Sequence, residues 1–577
     1  MLFSRYFLLL VALVAVVPAF GQEKLPPGRT VAKLEAKPLG IVLKSPFEYS
    51  QLVVTATLDN GDMVDATRIG KVELPAFVKA TPGGIVRPVD DGTGNIRVTV
   101  GEKAISIPVA VKGLKGSHNV SFVKDVAPAL SRLGCNAGTC HGSLEGKNGF
   151  KLSLRGYDPL YDHRALTDDL EGRRLLDGVS SLWCNVHGHR HPKIDAAIRA
   201  QLDQVSHITS LGMSHPTTIR LAKRLTEIAP AGLGHVFFSD SGATAVEVAL
   251  KMAFQYWRQR ADPRPEKTLF LAFENAYHGD TLGSVSVGGV ARFHEMFRPL
   301  LFEVRRLPIP NTYRLPPGIH RESACGHYLA QVESVLAREA DRIAALVVEP
   351  LVQAAAGMVM HPSGFLRGLR ELTARYDVLL IADEVAVGMG RTGRMFACEQ
   401  EGVTPDLLCL AKGLTGGYLP VAATLATDTI WNAFLGTYAE SKTFYHGHTY
   451  GGNPLGCAAA LATLDVFEEE QTLANLQPKI ARLAEHLARI GKLPHVGNVR
   501  QCGLIGAVEL VRDASTREGF PWEERRGQCV CNHAMEEGVW IRPLGNVVVI
   551  MPPLAISLEQ LDGLCGAVER GIEKATC

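Results

Sequence analysis

The feature that most constrains the fold is a regular alternation of apolar runs and helical periods in the second part of the chain. Short apolar runs end at turns rich in glycine or serine, and each turn leads into sequence with a helical period. The runs are 235–238, 268–272, 343–348, 378–382 and 407–410. This order predicts a doubly wound, mainly parallel α/β sheet in a large domain over residues 176–455. Helix-rich sequence with short strands predicts a smaller C-terminal α/β domain over residues 456–577.

Two ionisable residues follow apolar runs, at the positions where open α/β sheets bind ligands. Asp383 comes directly after the run 378–382, and Lys412 follows the run 407–410 in a glycine-rich loop. A lysine amine can form a Schiff base with the aldehyde of pyridoxal 5′-phosphate, and a carboxylate can keep the pyridine nitrogen protonated. Each residue alone has a simpler interpretation, Asp383 as a helix cap and Lys412 as a surface lysine. The pair predicts a pyridoxal-phosphate site.

Two other strand ends carry patterns that suit a phosphate and an aromatic ring. A Ser- and Gly-rich turn leads into a helix near Gly242 and Ala243, where backbone N–H groups and the helix dipole favour an anion. Tyr277 follows the next strand, and its ring could lie flat on a cofactor. Taken singly, the first is an ordinary turn and the second a core tyrosine. Because all four patterns follow strands of one predicted sheet, we expect them to form one site.

Three further segments offer phosphate or substrate contacts. The glycine-rich loop around Gly447, His448 and Thr449 presents a hydroxyl that could bind a phosphate. Arg542, in Trp-Ile-Arg-Pro, could bind a substrate carboxylate through two parallel hydrogen bonds. Trp183 places a large ring beside a tight turn. The histidines that follow it lack a Cys/His pairing with ligand spacing, so no metal site is expected.

Taken together, these stretches resemble the class III (fold type I) pyridoxal-phosphate aminotransferases. The resemblance covers roughly residues 176–575 and is most specific in four stretches, 177–189, 277–281, 382–393 and 538–543. It implies a homodimer whose active sites lie across the interface. The tryptophan stretch and Trp-Ile-Arg-Pro narrow the implied reaction to transfer of the amino group of S-adenosylmethionine to 8-amino-7-oxononanoate, which gives 7,8-diaminononanoate for biotin. The alternative is another class III enzyme that uses a diamine or an ω-amino acid.

The resemblance also assigns roles to individual residues. It makes Lys412 the Schiff-base lysine and proton shuttle, Asp383 the partner of the pyridine nitrogen, and Tyr277 a third catalytic residue. The cofactor contacts that it implies are Gly242, Ala243, Tyr277, Asp383 and Lys412, with His448 and Thr449 reaching the phosphate from the neighbouring subunit. The substrate contacts that it implies are Trp183, Tyr277, Lys412, Gly447 and, on the oxononanoate carboxylate, Arg542.

This sequence departs from the family pattern in three respects. Ala243 stands where a serine is usual, which removes a hydroxyl and keeps the N–H group. His448 stands where a proline is usual. The N-terminal arm of the family, which carries an active-site tyrosine, is replaced by unrelated sequence. Whether turnover survives without that arm is left open by the sequence.

The N-terminal residues indicate export. Arg5 precedes an apolar run that ends near Ala19-Phe20-Gly21, a pattern typical of a secretory signal peptide over residues 1–21. A membrane anchor is the alternative, but the run is short for a bilayer span. The twelve cysteines lack the spacing of a disulfide framework and suit reduced thiols. Because the implied substrates are cytosolic, we expect the activity in the cytoplasm, in conflict with the leader.

Residues 22–175 predict a different origin for the first part of the chain. Residues 22–112 alternate apolar and polar residues between turns, which predicts a small antiparallel, Ig-like β-sandwich. Residues 113–175 contain Cys135, Cys140 and His141, whose spacing is wider than that of the usual covalent haem motif, so a disulfide or a plain structural loop is favoured over a haem site. This part resembles the opening of secreted, cytochrome-like planctomycete proteins. It would then be truncated.

The change of character near residues 171–174 indicates a join between two parents. A gene fusion and an assembly artefact are both consistent with it. A third interpretation is an inactive chimera, in which a secreted haem or surface protein carries the second part as inert cargo.

The charge balance favours small-molecule partners. Sixty lysines and arginines face fifty-nine aspartates and glutamates, and no basic stripe is present. Neither nucleic acid nor a membrane surface is therefore expected as a partner, once a signal peptide is removed.

Overall fold

The structure is a computed structural model that describes residues 24–46, 48–114, 126–132 and 174–576. The chain divides into two compact units, Met1–Gly172 and Arg173–Cys577. The predicted signal peptide and the Cys135, Cys140 and His141 segment lie outside the described residues, so both stay predictions. None of the described helices is both long enough and apolar enough to cross a bilayer.

The first unit is built almost entirely of short strands. Its strands are β1 Val31–Lys37, β2 Ile41–Leu43, β3 Ser50–Gln51, β4 Val53–Leu58, β5 Met63–Asp65, β6 Lys71–Glu73, β7 Val78–Ala80, β8 Ile85–Pro88, β9 Gly92–Val100 and β10 Lys103–Val111, followed by helix α1, Ala127–Arg132. They form three sheets, ordered β1-β4-β5, β2-β10-β9-β6 and β3-β8-β7. The pairs are antiparallel, as predicted, except that β2 pairs with β10 in parallel.

Alternation of side chains builds the core of this first unit. Along β9 the buried residues are Ile96, Val98 and Val100, with more exposed residues between them. The antiparallel neighbour β10 repeats this pattern. Successive side chains of a strand point to opposite faces, so each strand places its apolar face inward. The all-β character predicted for residues 22–112 is confirmed for their described part.

The second unit contains the predicted sheet and a smaller one. Its strands are β11 Leu176–Asp177, β12 His235–Ser239, β13 Leu269–Phe273, β14 Val304–Leu307, β15 Ile343–Val348, β16 Val352–Gln353, β17 Val359–Met360, β18 Leu379–Asp383, β19 Leu407–Leu410, β20 Ala422–Ala426, β21 Val496–Cys502, β22 Ile505–Asp513, β23 Glu518–Gly519, β24 Val539–Trp540, β25 Pro543–Leu544 and β26 Val547–Ile550. Its α-helices are α2 Pro192–Leu202, α3 Pro216–Ile228, α4 Gly242–Gln259, α5 Leu282–Val287, α6 Ala291–His294, α7 Ala324–Glu339, α8 Phe365–Arg375, α9 Asp428–Ala433, α10 Pro454–Glu469, α11 Thr472–Ile490, α12 Arg526–Glu536 and α13 Leu558–Thr576.

The large sheet has seven strands in the order β12-β20-β19-β18-β15-β13-β14. All neighbours pair in parallel except β20, which is antiparallel to β12 and β19. β15 and β18 are buried along their whole length, as expected for strands with helices on both faces. The predicted doubly wound α/β fold is confirmed.

Helix α4 connects the sheet to the predicted phosphate site. Ser241 caps its start by accepting a hydrogen bond from Thr244 N at 3.3 Å, and Ser241 N donates in turn to Thr244 Oγ1 at 2.9 Å. Farther along the helix, the fully buried Trp257 donates its indole N–H to Ala344 O at 2.8 Å. The helix is therefore fixed against β15, and its N-terminus lies at the carboxyl end of β12.

The C-terminal residues form a second sheet in the order β21-β22-β26-β25, with β23 paired to β22. Helices α12 and α13 pack on each other beside it, and α11 packs on both α13 and the sheet. The strand β11, near the start of this unit, pairs in parallel with β24. This pairing brings the segment that carries Trp183 close to the C-terminal residues.

Candidate active site

The carboxyl ends of the central strands open into a cavity of about 690 Å³. Six of the residues singled out from the sequence line it, namely Trp183, Gly242, Ala243, Tyr277, Asp383 and Lys412. These residues come from five separate segments of the chain, so only the folded sheet brings them together. This placement is the one expected for a ligand site of an open α/β sheet.

Lys412 begins a short 3-10 helix, Lys412–Thr415, with a backbone φ of +43°. Its Nζ lies 5.5 Å from the centroid of the Trp183 ring. Burial lowers the pKa of the Lys412 amine, although the carboxylates of Asp383 and Glu349 oppose the shift. A lowered pKa increases the fraction of neutral amine, which is the form that attacks a carbonyl carbon.

Asp383 is 4% exposed at the end of β18, and its two oxygens have different partners. Oδ2 accepts a hydrogen bond of 2.7 Å from Nδ1 of His278, while Oδ1 accepts one of 3.0 Å from Val385 N. Burial opposes a charged imidazole, yet the hydrogen bond and charge of Asp383 raise the pKa of His278. Asp383 is thus held as a buried carboxylate that faces the cavity. His278 was not among the site residues predicted from the sequence.

Glu349 is a second buried acid in the cavity that the sequence analysis missed. Its carboxylate accepts hydrogen bonds from Tyr277 N at 3.1 Å and Ala354 N at 2.9 Å. Burial raises the pKa of Glu349 to about 7. Glu349 directly follows β15, just as Asp383 ends β18. The rule that identified Asp383 would therefore also have identified Glu349.

A third buried acid, Glu384, lies beside the cavity and gives a test based on pH. It accepts hydrogen bonds of 2.7 Å each from Ala397 N and Cys398 N, and burial raises its pKa to about 7. The folded protein then binds more protons than the unfolded chain between about pH 4.5 and about pH 7, so stability falls as pH rises through this window. The contribution lost is up to about 3 kcal/mol.

We expect Glu384→Gln to reduce this pH dependence, because glutamine does not titrate. The measurement is the thermal midpoint of wild type and variant at about pH 5 and about pH 8. The glutamine amide matches the two N–H donors less well than a carboxylate does. The resulting loss of stability is the same at both pH values, so the difference between the two midpoints still reports the titration of Glu384. Parallel midpoint curves for the two proteins would show that Glu384 is not the group responsible.

The start of α4 forms a backbone cradle at one end of the cavity. A Cβ atom on Gly242 would lie 2.5 Å from Val385 Cγ1, so the helix start approaches the loop after β18 closely. Gly279 has a φ of +119°, and a Cβ there would lie 2.4 Å from the side chain of Ala243. Both glycines therefore keep the first turn of α4 open to the cavity. The N–H groups of a first helical turn suit a phosphate.

Tyr277 lines the cavity with a phenol that is already engaged. Its hydroxyl donates to Asp280 Oδ2 at 2.9 Å, and burial together with this carboxylate raises its pKa. The Tyr277 ring stacks on His294 with centroids 6.3 Å apart and an interplanar angle of 17°. At neutral pH the phenol is therefore protonated, and its ring forms a fixed wall of the cavity.

Four predicted site residues do not line this cavity within the described part of the chain. Gly447 and His448 line a smaller cavity near Leu211, and His448 Nδ1 lies 3.4 Å from Asp240 Oδ2. Thr449 and Arg542 are exposed. Since Asp240 itself lines the main cavity, His448 lies near its edge.

No cluster of His, Cys, Asp or Glu side chains suited to a metal ion occurs among the described residues. The nine described cysteines are all free thiols.

Comparison with known proteins identifies the class to which this fold and site belong. Residues 163–572 match the family Aminotransferase class-III, and the chain belongs to this family of pyridoxal-phosphate-dependent transaminases. A Geobacter sulfurreducens protein named adenosylmethionine-8-amino-7-oxononanoate aminotransferase is 56% identical over 409 residues, which cover 71% of this chain and 90% of that protein. A Nitratidesulfovibrio vulgaris protein of the same name is 57% identical over 408 residues, covering 71% and 75% of the two chains.

Solved structures agree with this assignment. The crystal structure of adenosylmethionine-8-amino-7-oxononanoate aminotransferase from Methanocaldococcus jannaschii is 43% identical, with a TM-score of 0.66, and covers 70% of this chain and 90% of that one. An amine transaminase from an uncultivated Pseudomonas species is 39% identical, with a TM-score of 0.67, and covers 70% and 92%. The similarity is thus to two kinds of transaminase.

Proposed function

We propose that this protein transfers the amino group of S-adenosylmethionine to 8-amino-7-oxononanoate and forms 7,8-diaminononanoate for biotin biosynthesis. The observation that carries the proposal is one cavity that holds the Lys412 amine, the Asp383 carboxylate and the Trp183 ring. The relatives that share more than half of their aligned residues with this chain carry the name of this reaction.

The cavity has the groups that pyridoxal 5′-phosphate requires. The first turn of α4, at Gly242 and Ala243, would hold the phosphate, and Asp383 would accept a hydrogen bond from the pyridine nitrogen. The wall formed by Tyr277 would contact the ring. When bound, the cofactor supplies an aldehyde that takes up an amino group and a ring that accepts electrons. The buried Asp383 matches a protonated ring nitrogen because opposite charges favour each other at low dielectric.

Lys412 performs the proton movements in this proposal. Its amine has a lowered pKa, so it can accept a proton from substrate carbon and return it at another position. His278 donates a hydrogen bond to Asp383, and the two residues hold the charge distribution of the site in place. Tyr277 and Trp183 restrict the space around Lys412 and exclude water from it. Arg542 would bind the carboxylate of the oxononanoate through its guanidinium fork.

The donor profile tests the proposed substrates. The expected result is diaminononanoate formation from 8-amino-7-oxononanoate with S-adenosylmethionine as donor, and little with alanine or putrescine. The second candidate, a transaminase for diamines or ω-amino acids, is favoured by the similarity to the Pseudomonas amine transaminase. Activity with alanine or putrescine combined with inertness toward S-adenosylmethionine would replace the first proposal by the second.

The proposed active enzyme is a homodimer in which His448 and Thr449 of each subunit reach the phosphate of the other. Thr449 is exposed, and the same loop exposes Tyr445 and Tyr450 at 75% and 62%. Large exposed aromatic side chains on one loop are typical of a protein interface. A shared site would explain why this loop does not line the main cavity of its own chain.

Mixing two inactive variants tests the shared site. We expect Lys412→Ala and Thr449→Glu to be inactive alone, the second because a carboxylate repels the phosphate. After an equal mixture is refolded, about half of the dimers should be hybrids, and each hybrid holds one intact site of its two. The mixture should therefore regain about a quarter of wild-type activity. No recovery in a mixture shown to contain hybrid dimers would contradict the shared site.

We propose that the activity is cytoplasmic and that the first part of the chain is a fused secretory module. The chain divides between Gly172 and Arg173, close to the predicted join, and this division supports the fusion. The free cysteines of the second unit support the cytoplasmic location. Cell fractionation checks the location, and enzyme found in the exported fraction would contradict it. Haem absorbance of the purified chain would instead favour the cytochrome-like interpretation.

A further inference from the structure

The segment Ser180–Trp183, named here the Trp183 turn, has an unusual backbone. The φ angles of Ser180, Ser181, Leu182 and Trp183 are +52°, +49°, +74° and +70°. L-residues other than glycine lose free energy in the left-handed region, and they persist there only when their surroundings fix them. Four such residues in succession therefore require strong external contacts. The last of them, Trp183, is 8% exposed and lines the cavity beside Lys412.

Asp177 fixes the first half of the Trp183 turn. Its Oδ1 accepts hydrogen bonds from Val179 N and Ser181 N, each of 3.1 Å, and its Oδ2 accepts one of 3.0 Å from Ser181 Oγ. Ser180 Oγ donates to Met551 O at 2.7 Å. These bonds end at Ser181, so they leave the carbonyl groups around Trp183 to another partner.

That partner is Arg391, which is 1% exposed. Its Nη2 donates to Asn185 O at 2.7 Å and to Trp183 O at 3.4 Å, while Nη1 donates to Pro552 O at 2.7 Å. Within the described residues, Arg391 forms no salt bridge; the nearest acid that acts on its charge is Asp177, and its Nε has no hydrogen-bond partner. Burial lowers the pKa of Arg391 to about 10. A buried cation is costly without a paired carboxylate in contact, so the three carbonyl groups that accept its hydrogen bonds determine its position.

We infer that Arg391 is a positioning residue that holds Trp183 against the substrate side of the cavity. One guanidinium nitrogen of Arg391 reaches the Trp183 turn, and the other reaches Pro552 in the C-terminal domain. A lysine ammonium cannot make both contacts at the same time. Arg391 thereby fixes the Trp183 ring at its 5.5 Å distance from Lys412 Nζ. The indole Nε1 of Trp183, buried and without a partner among the described residues, is kept available for a ligand.

A double-mutant cycle tests whether Arg391 acts through Trp183. We expect Arg391→Lys to lower kcat/KM by about 10- to 100-fold, mainly through KM, and Trp183→Ala to lower it by at least as much. Adding Arg391→Lys to Trp183→Ala should then change kcat/KM by less than about threefold, because the residue to be positioned is gone. Effects that multiply in the double variant would overturn the inference.

A fluorescence measurement tests the same inference without any substrate. The spectrum of wild type minus that of Trp183→Ala isolates Trp183. The corresponding difference in the Arg391→Lys background should be red-shifted and more accessible to acrylamide. An unchanged difference spectrum would overturn the inference. The kinetic cycle rests on the proposed function, whereas the fluorescence measurement does not. If the proposed substrates were wrong, only the kinetic cycle would fail; if the role of Arg391 were wrong, the fluorescence difference would also be unchanged.

Arg370→Lys is the matched control. Arg370 is a half-buried arginine on α8 that donates to Asp406 Oδ2 at 2.8 Å, and it does not line the cavity. We expect Arg370→Lys to have a lower thermal midpoint than wild type, a kcat/KM within about twofold of wild type and an unchanged Trp183 difference spectrum. If Arg391→Lys does not accumulate as folded protein, Arg391→Gln replaces it in every comparison.

Discussion

Replacing Lys412 with alanine is expected to lower the rate of amino transfer by about 10⁴-fold or more. The amine is the group that would bind the cofactor aldehyde and move the proton, and no second lysine lines the cavity among the described residues. The fold should persist, because the residues around Lys412, from Ala411 to Leu414, are held by their own burial. Product formation and the thermal midpoint are the two measurements.

Lys479→Ala is the control for this loss. Lys479 is also a partly buried lysine whose pKa burial lowers, and it donates to Leu554 O at 2.7 Å, away from the cavity. We expect its activity to stay within about threefold of wild type, with a small loss of stability. Equal activity losses in both variants would mean that Lys412 acts only as a structural residue.

The second large effect is expected for Asp383→Asn, which should lower kcat by about 10³-fold. The substitution removes the buried charge while keeping the size of the side chain. His278 Nδ1 would then lose the carboxylate acceptor that lies at 2.7 Å, and a cofactor ring nitrogen would lose its acidic partner. Single-turnover kinetics separate the chemical step from substrate binding.

Asp406→Asn is the matched control for Asp383→Asn. Asp406 is a half-buried carboxylate just before β19 that accepts hydrogen bonds from Leu380 N at 2.7 Å and from Arg370. Its loss should reduce stability and leave kcat within about threefold. A kcat for Asp383→Asn within fivefold of wild type would remove Asp383 from the chemistry.

The sheet and the central pair could be predicted because their signals are local in sequence. Apolar runs marked the strands, and the ligand-binding edge of such a sheet follows from the carboxyl ends of those runs. Asp383 and Lys412 both follow a run, so their meeting in one cavity needed no knowledge of side-chain contacts. The boundaries were less accurate. The run 378–382 is the strand Leu379–Asp383, which includes the aspartate itself.

The residues that support the site could not be predicted in this way. The contact between His278 and Asp383 joins positions that are distant in sequence, and only the packed sheet brings them together. The Trp183 turn contains no glycine at its four left-handed positions, so its backbone leaves no mark in composition. The nearby Asp177 holds its first half, and the distant Met551 and Arg391 supply the other contacts. Arg391 gave no signal either, because the carbonyl groups that hold it come from distant segments.

Absorbance spectroscopy is the most direct test that the chain is a transaminase that uses S-adenosylmethionine. The full chain would be loaded with pyridoxal 5′-phosphate, and its spectrum recorded before and after S-adenosylmethionine is added. We expect the visible band of the bound cofactor to disappear and the band of its amine form to replace it, with no such conversion in Lys412→Ala. A visible band that ignores S-adenosylmethionine while responding to another amine would contradict it.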